Sequence, residues 1–535
     1  MLIIAIFFSI LFSVFSTVVM SYISMATPIG PWIAPTIAML AMLILKLFTH
    51  RGSAVERVGL ITTAGSIGGI LATGMGFSFP TLYFVDPVLF NQWLATPVYF
   101  VGMLAALSIT AGGFGLWLAN ILEHRFIIQQ DLAFPVGQLV YKMIAVEEQI
   151  KKTWDLVIGF VGTLLFCLVQ DGLFAFKGFI PKALTLVPAF NLGVVTIPTI
   201  RFDLFPMLWA IGFVTGHVIA IPLIVGALTK IFLIDPLNHL YFPTLSGIEF
   251  VLAFCSGMVL SGTLMSFIGA PKLLYKSIKK IINNGTSNFN VVNASTGLSK
   301  LYVIEGVILL VALISFLSYL GLSFFAQLYV LIFTAMCTYE IIDQAGKIGL
   351  AALGRFATFV MVPGMLLFNL TLVQIVFIAA FVEICGGVAV DVLFGRKLAR
   401  CADISRSKME RFQWLGLFIS ALTVGAVFLV LINQFGLGSS ELFALKAQNR
   451  QLLINAHSFN LYVLLFGFIF GFILKEIKIN PSLVLGGILM PINMSLGLIV
   501  GGLCALFTTD RERWYPFWSG VFASNSIWML IRAIL

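Results

Sequence analysis

Fifteen stretches of this chain are apolar for long enough to cross a bilayer, which takes about 20 residues. They are 2–23, 31–48, 58–80, 98–121, 153–175, 206–229, 247–270, 301–321, 324–341, 357–373, 374–394, 413–433, 459–474, 482–507 and 517–535. Hydrocarbon offers no partner to a backbone N–H or C=O, so such stretches fold as helices that satisfy their own backbone. The chain therefore predicts an all-α polytopic membrane protein. Its composition excludes the soluble classes: 60% of the 535 residues are hydrophobic and 10% are charged, against about 25% charged in a soluble domain. The N-terminus has no basic segment and no small-residue cleavage site, so 2–23 is expected to stay as the first span.

The net charge of +9 sits in loops. Lys272, Lys276, Lys279, Lys280 and Lys300 share one linker without an acid, and Arg396, Lys397, Arg400, Arg406, Lys408 and Arg411 crowd another. Basic loops stay on the cytoplasmic side. With a cytoplasmic N-terminus, the turn around Lys46, Arg51 and Arg57 is inside after two spans. The two basic loops are then also inside only if a short candidate, 132–146, crosses as well. That predicts about 16 transmembrane segments and cytoplasmic termini. No basic folded domain is present, so no nucleic-acid partner is expected.

The chain also repeats itself. Residues 206–228 align without a gap on 481–503 at an offset of 275: Pro206 on Pro481, Leu208 on Leu483, Gly212 on Gly487, and Leu223 to Gly226 on Leu498 to Gly501. Ala105-Ala106 and Gly112-Gly113 recur as Ala379-Ala380 and Gly386-Gly387 at an offset of 274. Two matches with nearly one offset indicate a duplication. It predicts a first transmembrane half, 1–270, a basic cytoplasmic linker, 271–300, and a second half, 301–535. An even number of spans per half makes the halves parallel-oriented. Elsewhere the halves do not align, and 81–97 and 179–200 are candidates for short re-entrant hairpins.

Small residues at four-residue spacing (Gly65 and Gly69, Gly212 and Gly216, Gly497 and Gly501) let helices pack closely. Pro206, Pro222, Pro481 and Pro491 begin or interrupt spans. Broken helices at matching places in two halves point to a transporter's binding site, which makes Pro491 and, in the repeated stretch, Gly212 and His217 candidates for it. Ionisable residues inside apolar runs are Asp171, His217, Glu249, Glu305, Glu340, Glu383 and Asp391. Each is expensive in hydrocarbon and should face protein or water. Glu383, Glu249 and Asp391 are candidates for proton coupling, with interhelical hydrogen bonding as their structural alternative.

Six scattered cysteines and five dispersed histidines give no disulfide framework and no metal site. There is no phosphate-binding G-x-x-x-x-G-K-[ST] loop, no H-E-x-x-H and no G-x-S-x-G elbow. No enzyme and no cofactor is expected.

Leu132-Ala133-Phe134-Pro135-Val136-Gly137-Gln138 resembles the P-F-P-S-G motif of the oligopeptide transporter (OPT) superfamily, which includes the yellow-stripe-like metal-chelate carriers. Ala389-Val390-Asp391 with Gly395 and Lys397, then Phe412, Gln413 and Gly416, and later Pro481, Gly487, Pro491 and Gly501-Gly502, resemble further motifs of that family in the same order. Val136 stands where the family usually has serine, Ser524-Asn525 where many members have Gly-Glu, and the acid that normally precedes Lys397 is missing. The resemblance implies a secondary carrier, often a proton symporter, that moves short peptides or chelated metals inward. It implies that Pro135, Gly137, Gln138, Pro481, Gly487, Pro491 and Asn493 line the pathway and that Asp391 and Lys397 lie at the cytoplasmic mouth. The expected partners are a peptide or metal chelate, protons and the lipid bilayer, with a bacterial inner membrane as the plasma membrane concerned. Competing readings are a carrier of another solute such as an amino acid or siderophore, a membrane-embedded enzyme on lipid-linked substrates, and a channel.

Overall fold

A computed structural model describes residues 2–27, 32–48, 54–145, 150–173, 176–192, 195–197, 199–258, 260–261, 264, 300–348, 351, 353–456, 460–490 and 492–534. The linker 271–299 lies outside the described residues. In chain order the first helices are α1 Leu2–Ala26, α2 Ala34–Phe48, α3 Ala54–Ser78, α4 Thr81–Val85, α5 Pro87–Leu94, α6 Pro97–Glu123, α7 Pro135–Ala145 and α8 Ile150–Asp171. Six short strands follow: β1 Gly172–Leu173, β2 Phe176–Lys177, β3 Ala183–Val187, β4 Phe190–Leu192, β5 Val195–Ile197 and β6 Ile200–Asp203. Next come α9 Pro206–Thr215, α10 His217–Thr229, α11 Asp235–Tyr241 and α12 Gly247–Met258. The remainder is α13 Lys300–Tyr319, α14 Phe324–Ile348, α15 Leu353–Phe368, α16 Leu372–Cys401, α17 Arg406–Phe435, α18 Leu445–Ile454, α19 Leu461–Glu476, α20 Pro481–Leu489, α21 Ile492–Phe507 and α22 Arg511–Ile534. Eight of the described helices are long and apolar enough to cross a membrane. The protein is an all-α polytopic membrane protein. At about 1.5 Å per residue, the 11 residues of α7 reach about 17 Å, roughly half of a hydrocarbon core of about 30 Å.

The chain packs as two compact units. The first comprises Met1–Ser24, Gly30–Val146 and Met265–Leu429, and the second Met25–Ile29, Glu147–Leu264 and Val430–Leu535. Each takes a block from the first half and a block from the second.

The first unit is built on α16. Its start is fixed by a capping box: Gln374 N–H donates to Thr371 Oγ1, and Thr371 N–H donates to Gln374 Oε1 at 2.9 Å. From Gln374 to Ala399 every residue is buried, as expected for a helix that is apolar on all faces. Small residues let its neighbours approach: a side chain at Gly115 of α6 would strike the Cys385 carbonyl, and one at Gly74 of α3 the backbone of Glu383 and Ile384. Phe114 and Phe381 stack with centroids 6.1 Å apart. The stretch 81–97 forms the short helices α4 and α5. Their Phe90 and Trp93 join Phe79, Phe100 and Phe377 in one ring cluster, where each pair contributes about 0.5–1.5 kcal/mol beyond its burial.

The second unit contains the longer repeat, and its two copies make reciprocal contacts. A side chain at Gly212 would strike the Leu498 carbonyl, and one at Gly487 the Leu223 carbonyl. Gly226 meets the carbonyl of Val484, and Gly501 that of Trp209. An offset of 275 converts each contact of a pair into the other, so α9 packs on α21 as α20 packs on α10. Two further helix pairs do the same. Gly520 meets the Leu156 carbonyl as Gly257 meets that of Leu464, and Gly159 meets the Phe517 carbonyl as Gly467 meets that of Phe254. Here α12 maps on α22 at an offset of 263, and α8 on α19 at 308. The changes of offset locate two insertions in the first copy. One, of 33 residues, lies between α8 and α9. The other, of 12, lies between α10 and α12.

The first of these changes of offset falls across the stretch 172–203. This stretch forms antiparallel two-stranded ribbons, β1 with β2, β3 with β6 and β4 with β5. Pro181 and Pro188 exclude a continuous helix, while Val195, Thr196 and Ile197 favour extended backbone. Most of β3 is exposed, and a two-stranded ribbon has open edges that cannot face lipid. The stretch 179–200 is therefore not a helical re-entrant hairpin and does not lie in the hydrocarbon. Each repeated span is broken, but not at Pro222, which is carried inside α10. The first break is at Gly216, whose φ of +65° suits glycine. The second falls between Leu489 and Ile492, the equivalent place.

Candidate functional site

In the first unit the start of α7 meets α16. Asp131 and Phe134 carry φ of +42° and +45°, so the chain turns sharply. Phe134 N–H donates to the Gly346 carbonyl at 2.8 Å, and Pro135 opens α7, where its missing N–H loses no helical bond. One turn in, a side chain at Gly137 would strike the Phe394 carbonyl. Gln138 is half-buried on the same helix. A cavity of about 10 Å³ lies here, lined by Thr62, Thr63 and Ser66 of α3, Val136, Gly137 and Val140 of α7, and Asp391, Phe394, Gly395 and Leu398 of α16, with Ala34 of α2. That is room for about one water molecule. Ser66 donates to Asp391 Oδ2 at 2.6 Å. Asp391 is 1% exposed, and its Oδ1 has no hydrogen-bond partner among the described residues, nor has Thr62 Oγ1.

Past Asp391 the surroundings become ionic. At 30 residues, α16 is about 45 Å long and outlasts the hydrocarbon. Lys397 Nζ pairs with Asp131 Oδ1 at 2.9 Å. The acid missing before Lys397 in the sequence is thus supplied by the loop that leads into α7. Asp131 was detectable only as the one acid abutting the 132–138 motif. The Lys397 ammonium holds the exposed Asp131 carboxyl below the usual carboxylate range. Arg400 donates to the Ile127 carbonyl at 2.9 Å, Arg396 donates to Asn120 Oδ1 at 3.1 Å, and Arg406 pairs with Glu123 at 2.9 Å.

Glu383 lies eight residues before Asp391, about 12 Å away along α16. It is buried, and Ser78 of α3 donates to its Oε2. Glu249 lies elsewhere: it is exposed in the first turn of α12, where the Ser246 N–H and hydroxyl donate to Oε2 at 3.1 and 2.9 Å. That is a capping-box bond. Glu305 is half-buried on α13.

In the second unit Gly212 and Gly487 are the close-contact positions already described. Asn493, in the first turn of α21, donates from Nδ2 to Asp203 Oδ2 at 2.5 Å. Asp203 ends the inserted ribbon and precedes α9. Burial pushes its carboxyl above the usual range, offset in part by the Asn493 bond. Sequence reading missed it because it lies in a stretch that carries no repeat. His217 opens α10, but its side chain lies outside the described residues, as does Pro491. Among the described residues no three His, Cys, Asp or Glu side chains gather as metal ligands.

Residues 3–524 match the family described as OPT oligopeptide transporter protein. No curated protein matches the chain.

Proposed function

The chain belongs to the OPT oligopeptide transporter family, and on that premise we propose that it is a secondary active transporter that takes up small oligopeptides with protons. The coarser statement needs no proposal: it is a multi-pass membrane transporter of the oligopeptide and small-solute class, a family of transporters rather than enzymes. The observation that carries the finer reading is the pair of spans broken at equivalent places, at Gly216 and between Leu489 and Ile492. Broken helices present free backbone groups to a substrate. We place the substrate near Gly212, His217, Gly487, Pro491 and Asn493, and a second part of the pathway at Pro135, Gly137 and Gln138. Glu383 carries the proton: its carboxyl is 1% exposed on the helix around which the first unit is built, and a buried acid in a membrane span is retained for function by default. Asp391 and Glu249 complete the acids assigned to coupling.

The same reading takes the chain as two duplicated parallel halves, 1–270 and 301–535, of about 16 spans. The linker 271–300 and both termini face the cytoplasm, and a bacterial inner membrane holds the protein.

The test is uptake of a labelled tripeptide by proteoliposomes, with and without an inward-acidic gradient. Gradient-driven accumulation is expected. Glu383→Gln should reduce accumulation at least tenfold at unchanged protein level in the membrane. Wild-type accumulation by this variant across pH would remove the proton from Glu383. Uptake of labelled iron complexes in place of peptide would move the substrate to metal chelates.

A further inference from the structure

The cavity between α3, α7 and α16 contains an uncompensated acid. Its lining holds one carboxyl, Asp391, three hydroxyl residues, Thr62, Thr63 and Ser66, and no cationic side chain. The bases that follow along α16 are both engaged, Arg396 by Glu410 at 3.8 Å and Lys397 by Asp131 at 2.9 Å. Val136 and Gly137, in the first turn of α7, line the same cavity. Asp391 Oδ1 and Thr62 Oγ1, on residues 1% and 2% exposed, remain without a partner among the described residues. A buried carboxyl in such a place is compensated either by a proton or by a counter-ion.

We propose that this cavity is a sodium site, with Asp391 and the hydroxyls of Thr62, Thr63 and Ser66 as its oxygen ligands. All the donors are oxygens, the set that hard cations take. A single carboxylate matches a monovalent ion, whereas calcium draws six to eight oxygens, usually from several carboxylates. The space admits one water-sized particle, which suits sodium and excludes a hydrated ion. Sodium bound here ties α3 to α16 at the point where α7 begins. It is a second ion beside the proton on Glu383, and it takes the place of the proton assigned above to Asp391. The link to uptake rests on the reading of the chain as a carrier, but the site itself is measurable without transport.

The test is thermal unfolding of the purified full-length protein in NaCl, KCl and choline chloride at one ionic strength, with equilibrium binding of ²²Na⁺ alongside. The expected result is a saturable rise in melting temperature in sodium alone. Asp391→Asn should abolish the rise, and Thr62→Val should weaken sodium at least tenfold in apparent affinity. If Asp391→Asn does not fold, Thr62→Val and ²²Na⁺ binding by the wild type decide. Equal melting temperatures in all three salts without ²²Na⁺ binding would overturn the site, and gradient-driven peptide uptake would still stand. A sodium-dependent melt in a protein that accumulates no tripeptide would keep the site and defeat the reading of proton-driven peptide uptake.

Discussion

Asp391 and Lys397 sit six residues apart on α16 and have opposite surroundings. Asp391 is closed in with three hydroxyl residues, while Lys397 reaches an acid that is fully open to water. The difference follows from length: a 30-residue helix takes its last turns beyond the hydrocarbon, where a charge can be hydrated. Glycines act at the same scale through what they lack. Gly212 and Gly487 each face a carbonyl of the other copy, so a methyl group at either position has nowhere to go. Gly212→Ala and Gly487→Ala should each destabilise the protein by about 1–3 kcal/mol, the usual range for overpacking. Reciprocity requires the two losses to be similar. Thermal melts in detergent check this, and a loss confined to one variant would contradict the equivalence of the contacts.

At the scale of elements, the ribbon 172–203 is the largest departure of the first copy from the second. It ends at Asp203, which reaches Asn493 on α21, so an insertion in one copy touches the helix break of the other. Burial raises the Asp203 carboxyl above its ordinary value of about 3.9. The folded state therefore favours the protonated form. That contribution is complete below the ordinary value and is lost as pH rises through the raised one. Asp203→Asn keeps an acceptor for Asn493 and removes the charge. It should raise the melting temperature at pH 7.5 more than at pH 3.5, below the ordinary value, and an equal effect at both would contradict the assignment. Elements were legible in the sequence where apolar runs were long: α1, α3, α6, α16 and α17 fall where hydropathy places them. The ribbon was not, because a search for apolar runs passes over Val195, Thr196 and Ile197 between prolines. The short helices α4 and α5 were not either, because rings distant in sequence hold them.

For the whole molecule, the duplication was legible only where its offset stays at 275. The offset is 308 for α8 on α19 and 263 for α12 on α22, so a fixed-offset alignment fails on both sides of the matched stretch. Of the candidate site, Gly137 and Asp391 were legible, and both line the same cavity. Thr62, Ser66 and Asp203 were not, since nothing in their local sequence sets them apart. Because both compact units draw on both halves, neither half contains a finished unit. Residues 1–270 and 301–535 expressed separately should each be degraded or aggregate, and co-expression should restore a stable complex. A stable, monodisperse half on its own, read by size-exclusion chromatography, would contradict the interleaving.

The interleaving also sets the order of events during synthesis. The first unit stops at Val146 and resumes only at Met265, reaching Leu429 about 280 residues later. At 5–20 residues per second that is a wait of roughly 15–60 s, during which α1 has left the ribosome without α16 or α17. Three of its five serines are suited to the interval. Ser13 donates to the Ser9 carbonyl at 2.7 Å, Ser16 to Ser13 at 3.1 Å and Ser24 to Ser21 at 3.1 Å. All three bonds lie within α1 itself, so the nascent helix can enter lipid with these hydroxyls satisfied before the rest of the chain exists.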